Sequence, residues 1–143
     1  MWIKDKVRDE LISHQTIAGV SSLATGTDQI FAAVVLDLGL ELRAVIPCDD
    51  YASAFPDETS RTLYARYNKR ATRHYRLHYD APSEEAFLKA GQQVVDLSDF
   101  MVFVWDGKPA AGRGGTADIV KYASAKNVPF VHLNPVSFRV EAN

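Results

Sequence analysis

At 143 residues, 47% of them hydrophobic, the chain is long enough to bury one substantial core. A formal charge of −2 and a pI near 6.1 argue against a protein that coats nucleic acid by bulk electrostatics. A lone cysteine, Cys48, excludes an intramolecular disulfide framework and a cysteine-built zinc site, and no apolar run approaches the roughly 20 residues that span a bilayer.

The opening stretch, MWIKDKVRDELI, is charged and amphipathic, unlike a signal or transit peptide, so a cytoplasmic domain is expected. Residues 3–13 read as a helix with Ile3, Val7 and Leu11 on one face. A strand follows over 16–23, then a turn at 24–28, where Thr27 or Asp28 could cap a helix that Gly39 terminates. Residues 42–46 form a second strand, stopped by Pro47. The polar loop CDDYASAFPDETS then leads into a basic helix over 61–73 and a weak strand over 74–79. Ser83 suits the N-cap of a helix to about Leu97, with Glu84 and Glu85 in its first turn. Two strands remain, 101–105 and 130–133, separated by a glycine-bearing loop and a helix opening at Thr116. The tail from Asn134 carries no assignment.

This alternation predicts a single α/β domain over 1–143, three layers deep, around a mostly parallel sheet of four to five strands. In such sheets ligands bind outside the carboxyl ends of the strands, where strand order reverses. Three polar loops, 21–28, 47–57 and 106–118, are thereby expected on one rim.

The loop of 106–118 is the most suggestive. It carries Gly112, Gly114 and Gly115 just before a helix start, so backbone N–H groups and the helix dipole favour an anion such as phosphate. Lys108 and Arg113 add positive charge. The competing reading is a tight turn in which Thr116 is only a cap. Asp118 either complements the dipole or serves as a ribose ligand, nucleophile or base. Trp105 either packs or forms a wall for a base, and Asp106 is placed for a ribose or catalytic role. Asp28 either caps its helix or faces Asp118 to make a carboxylate pair. Asp49, Asp50 and Tyr51 sit on the third rim loop. The basic run Arg61, Arg66, Lys69, Arg70, Arg73, His74 and Arg76 interleaves with Tyr64, Tyr67 and Tyr75. It reads as a nucleic-acid face or, in keeping with the acidic balance, as a solvated helix face. His14, His74, His78 and His132 lack metal-ligand spacing, so neither metal nor cofactor is expected, and Cys48 reads as a buried inert thiol.

The segment SSLATGTDQIFAAVVLDLG, the following RAVIPCDDYASAF, and GRGGTADIV together resemble the SLOG superfamily. These are Rossmann-like proteins related to DprA and to the "lonely guy" phosphoribohydrolases. The resemblance covers about residues 21–135. It implies a Rossmann-like domain and a nucleotide-derived ligand, with Gly114, Gly115 and Thr116 meeting phosphate and Gly26, Thr27 and Asp28 lining the opposing rim. Two departures stand out. Asp118 occupies the place of the family's catalytic glutamate, and no segment matches the arginine-bearing helix. The family also opens on a strand and glycine loop, whereas this chain opens on a helix. A truncated start, a start codon assigned too late, or a lost strand is expected. Three functions follow: a nucleotide-binding module or sensor; an N-glycosidase or phosphoribohydrolase using Asp118 or Asp28; and a nucleic-acid-associated protein using the face from Arg61 to Arg76. A homo-oligomer is also expected, since apolar residues 30–38 exceed what one small domain covers.

Overall fold

The computed structural model describes residues 1–107 and 115–143. Helices α1 (Trp2–Ser13), α2 (Thr27–Asp37), α3 (Glu58–Arg70), α4 (Glu84–Asp96) and α5 (Thr116–Ala125) alternate with strands β1 (Ala18–Ser21), β2 (Glu41–Ile46), β3 (Arg73–Arg76), β4 (Met101–Val104) and β5 (Phe130–Asn134). A 3-10 turn spans Tyr51–Ala54, and a further strand, β6 (Arg139–Ala142), follows β5.

Several boundaries follow from local chemistry. The hydroxyl of Ser83 accepts the Ala86 N–H at 3.0 Å to start α4, and the Asp57 carboxylate accepts the Ser60 N–H at 2.7 Å to start α3. Gly39 takes φ 73° and donates its N–H to Leu36, while Leu40 donates to Val35, a Schellman closure of α2. The start of α2 corrects the expectation that Thr27 or Asp28 caps it. The cap is Gly26 at φ 91°, a conformation that disfavours side chains, and the Asp28 carboxylate instead turns back to accept the Ala24 N–H at 3.2 Å.

The strands form two three-stranded sheets rather than one sheet of four to five, which corrects the sequence expectation. In the first, β1, β2 and β3 run parallel in that order. In the second, β4 and β5 are parallel and β6 returns antiparallel to β5. The additional strand comes from the tail, where the Asn134 side chain accepts the N–H groups of Val136 and Ser137 and turns the chain back. The remaining difference is that β1 and β4 do not hydrogen-bond to each other.

Both sheets nonetheless share two faces. On one, Leu42, Ala44 and Ile46 of the first sheet and Val131 and Leu133 of the second pack with Val7 and Leu11 of α1 and Val34 and Val35 of α2. On the other, Val20 and Val45 meet Ala90 and Val94 of α4, while Phe103 meets Val95 of α4 and Ile119 of α5. Alternation along each strand assigns successive side chains to opposite helical layers.

Candidate functional site

Between β1 and β4 lies a cavity of about 1280 Å³, lined by all four residues of each strand. At the carboxyl ends of the strands it opens among the three loops expected on one rim. Ser22, Thr27 and Asp28 come from the first, Pro47, Tyr51 and Phe55 from the second, and Gly115 and Thr116 from the third. The first turns of α2 and α5 therefore border one space.

The loop after β1 is held in an uncommon shape. Leu23 adopts φ 60°, which a bulky side chain takes only when its surroundings impose it, and it is fully buried. Its N–H donates to the Ser21 hydroxyl at 3.0 Å. The buried Gln29 amide donates to the Ser60 carbonyl at 2.8 Å and to the Leu23 carbonyl at 3.4 Å, tying this loop to α3. From the second loop the Tyr51 hydroxyl donates to the Ser22 carbonyl at 2.9 Å. Tyr51 also meets Phe55 and Tyr64 edge-on, with ring centroids 5.0 and 5.1 Å apart.

Asp28 is the carboxylate that the first loop brings to this rim. It is partly buried, and desolvation raises its pKa; the hydrogen bond from Ala24 opposes that shift without cancelling it. Burial likewise pushes the Tyr51 phenol up, with the Asp28 charge adding to the effect, so Tyr51 stays a neutral donor. A carboxyl held toward its neutral form beside a cavity is equipped to exchange a proton with a bound molecule.

Other expected site residues fall elsewhere. Gly26 is exposed at the start of α2 and does not line the cavity. The Trp105 ring lies 5.0 Å from that of His132, and its carbonyl is hydrogen-bonded to His132 Nε2, which directs it toward β5. Asp106 is exposed just beyond β4. Asp118 is in the first turn of α5, where its N–H donates to the Gly115 carbonyl at 3.1 Å, and it does not border the cavity beside Asp28. Lys108, Arg113 and Gly114, with Gly112, lie outside the described residues. Sequence reasoning named Tyr51 only in passing and missed Leu23 and Gln29. Nothing in the pattern SSLATGTDQ marks its leucine as left-handed.

The basic segment is partly absorbed by the fold. Arg61 donates to the carbonyls of Ala52 and Phe55, and Arg73 lies 3.7 Å from Glu41. Tyr64 and Tyr67 pack against the core beside α2. Cys48 is buried and its pKa is raised by desolvation, in keeping with an inert thiol. Among the described residues no group of three or more His, Cys, Asp or Glu could hold a metal ion, and no helix is long and apolar enough to cross a membrane. The chain matches no protein-family model and no curated protein.

Proposed function

We propose that this rim binds a nucleotide or a nucleotide-derived phosphate ligand, and that the protein acts as a binding module or sensor on a three-layer Rossmann-like scaffold. The observation that carries the reading is the convergence of two helix starts, Thr27 of α2 and Thr116 of α5, on one cavity at the carboxyl ends of parallel strands. Each helix N-terminus offers N–H donors and about half a unit of positive charge, so two of them favour an anion more than either alone. Gly115 and Thr116 take the phosphate from one side and Thr27 approaches from the other; by sequence position, the basic Lys108 and Arg113 and the adjoining Gly114 are further candidates to contact it. Tyr51 and Phe55, which line the cavity, offer an apolar wall for a base.

A thermal-shift panel of AMP, ADP, cyclic AMP, NAD and ADP-ribose tests this. A ligand at 100 times its Kd that binds only the folded protein adds about 2.7 kcal/mol, a readily measured rise in melting temperature. No rise with any member of the panel contradicts the reading.

One observation favours a hydrolytic alternative, an N-glycosidase or nucleoside monophosphate phosphoribohydrolase. Asp28, on the cavity, has the raised pKa suited to an acid or base at a glycosidic carbon. Asp28→Asn is then expected to abolish release of free base while nucleotide binding persists. Unchanged turnover in Asp28→Asn, with loss in Asp118→Asn, would move the role to Asp118.

A further inference from the structure

The cavity is larger than the roughly 300–1,000 Å³ usual for a small-molecule site, and most of its length runs below the rim, between two strands. Its walls carry a specific demand. Among the described residues, β1 pairs only with β2 and β4 only with β5, so each presents its other edge to the space between them. In parallel strands alternate residues direct both N–H and C=O to the same neighbour. Glu41 donates to the Ile17 carbonyl, so Ile17, Gly19 and Ser21 address β2, and the main-chain groups of Ala18 and Val20 address the cavity. Met101 and Trp105 donate to the Pro129 and Leu133 carbonyls, so it is Val102 and Val104 that address it from β4.

Two rows of main-chain donors and acceptors thus face each other between helical layers, where unpaired polar groups are costly. The helices already lie as though a strand were between the sheets. On one face α1 packs against both α2 and β4, and on the other α4 packs against both β2 and α5. Val20, Gly91, Val94 and Ile119 give the slot small or apolar lining, with Arg43 among the polar residues that also border the cavity.

We infer that the slot between β1 and β4 is a binding site for an extended apolar peptide segment, which inserts parallel to both strands and joins the two sheets into one of seven strands. The occupant is a partner strand of about four residues, matching the length of β1 and β4, with apolar side chains on both faces. Its alternate N–H and C=O groups complement the partial charges of Ala18 and Val20 on one side and of Val102 and Val104 on the other, the mode of β-strand addition. This inference does not rest on the nucleotide reading, which concerns the rim.

Residue-resolved amide exchange with a synthetic peptide, acetyl-KVIVVK-amide, tests it. At a peptide concentration 100 times its Kd, exchange at Val20, Val102 and Val104 should slow about 100-fold. Gly19 and Phe103, already bonded to β2 and β5, should change little. A peptide with proline in place of the isoleucine lacks a donor and should give no protection. The same strand fused ahead of Met1 through a Gly-Ser linker raises the effective concentration to the millimolar range and should protect the same amides. No slowing at the slot amides with either the free or the fused strand overturns the inference. Protection already present without peptide in a dimer, and unaffected by added peptide, assigns the slot to a second copy and also overturns it. A nucleotide-induced thermal shift without slot protection upholds the rim reading alone; slot protection without a nucleotide shift upholds this one alone.

Discussion

The two ends of the parallel strands treat a carboxylate in opposite ways. At the amino end, Glu41 accepts from the Thr72 hydroxyl at 2.6 Å and from Arg43 at 3.0 Å, with Arg73 nearby. Those hydrogen bonds and charges pull its pKa down to about 2. At the carboxyl end, Asp28 is desolvated beside a cavity, and its pKa is raised. One end satisfies charge and serves the scaffold; the other leaves a proton-binding group poised beside space for a ligand. What separates Asp28 from Glu41 is the combination of a shift against ionisation with a place on the cavity lining.

The contrast can be broken most forcefully at Leu23, which anchors the loop carrying Asp28. Leu23→Ala removes a fully buried side chain and is expected to cost about 2–5 kcal/mol in urea unfolding. A loss under 1 kcal/mol would mean the rim is not tied to the core. Tyr51→Phe deletes the donor to the Ser22 carbonyl and should cost about 1 kcal/mol in the same measurement, with the aromatic packing retained.

The two carboxylates should tilt the pH profile of stability in opposite directions. Asp28 has a raised folded pKa, so its contribution is fully present below its ordinary value of 3.8 and is lost as pH rises through the folded pKa. Asp28→Asn, which keeps an acceptor for Ala24, should therefore gain on the wild type as pH rises toward neutrality. Glu41 has a depressed pKa, so its contribution is present above about pH 4.5 and is lost as pH falls toward 2. Glu41→Gln should be the less stable protein at pH 6 and equal to the wild type near pH 2, the smallest effect because the site is exposed. Urea midpoints across pH 2–7 read both, and gaps that widen in the same direction would undo the comparison.

Much of the scaffold was legible because its signals are local. Ser83 announces the start of α4, Gly39 the end of α2, and apolar spacing the face of α1 that buries Val7 and Leu11. The tail received no assignment although Asn134-Pro135 is a turn signal, because exposed β6 shows no buried alternation. The division into two sheets was not legible, since whether β1 and β4 pair is a non-local matter that no window of sequence contains. At the site, the three rim loops were identified by their position after strands, and Thr27, Asp28, Gly115 and Thr116 do border one cavity. Of the two carboxylates expected either to cap their helices or to face each other, Asp28 lines the cavity and Asp118 lies in the first turn of α5. Leu23 escaped notice because its left-handed backbone is imposed by tertiary packing, not by its own chemistry.

The most direct test of the central claim is a backbone amide NMR titration with AMP and ADP-ribose. The account predicts saturable shifts at Thr27, Asp28, Gly115 and Thr116, with Glu41, Arg43 and Thr72 at the opposite end of the strands unmoved. Saturable shifts confined to the amino end or to the basic face of α3, or no shifts at millimolar ligand, would contradict it.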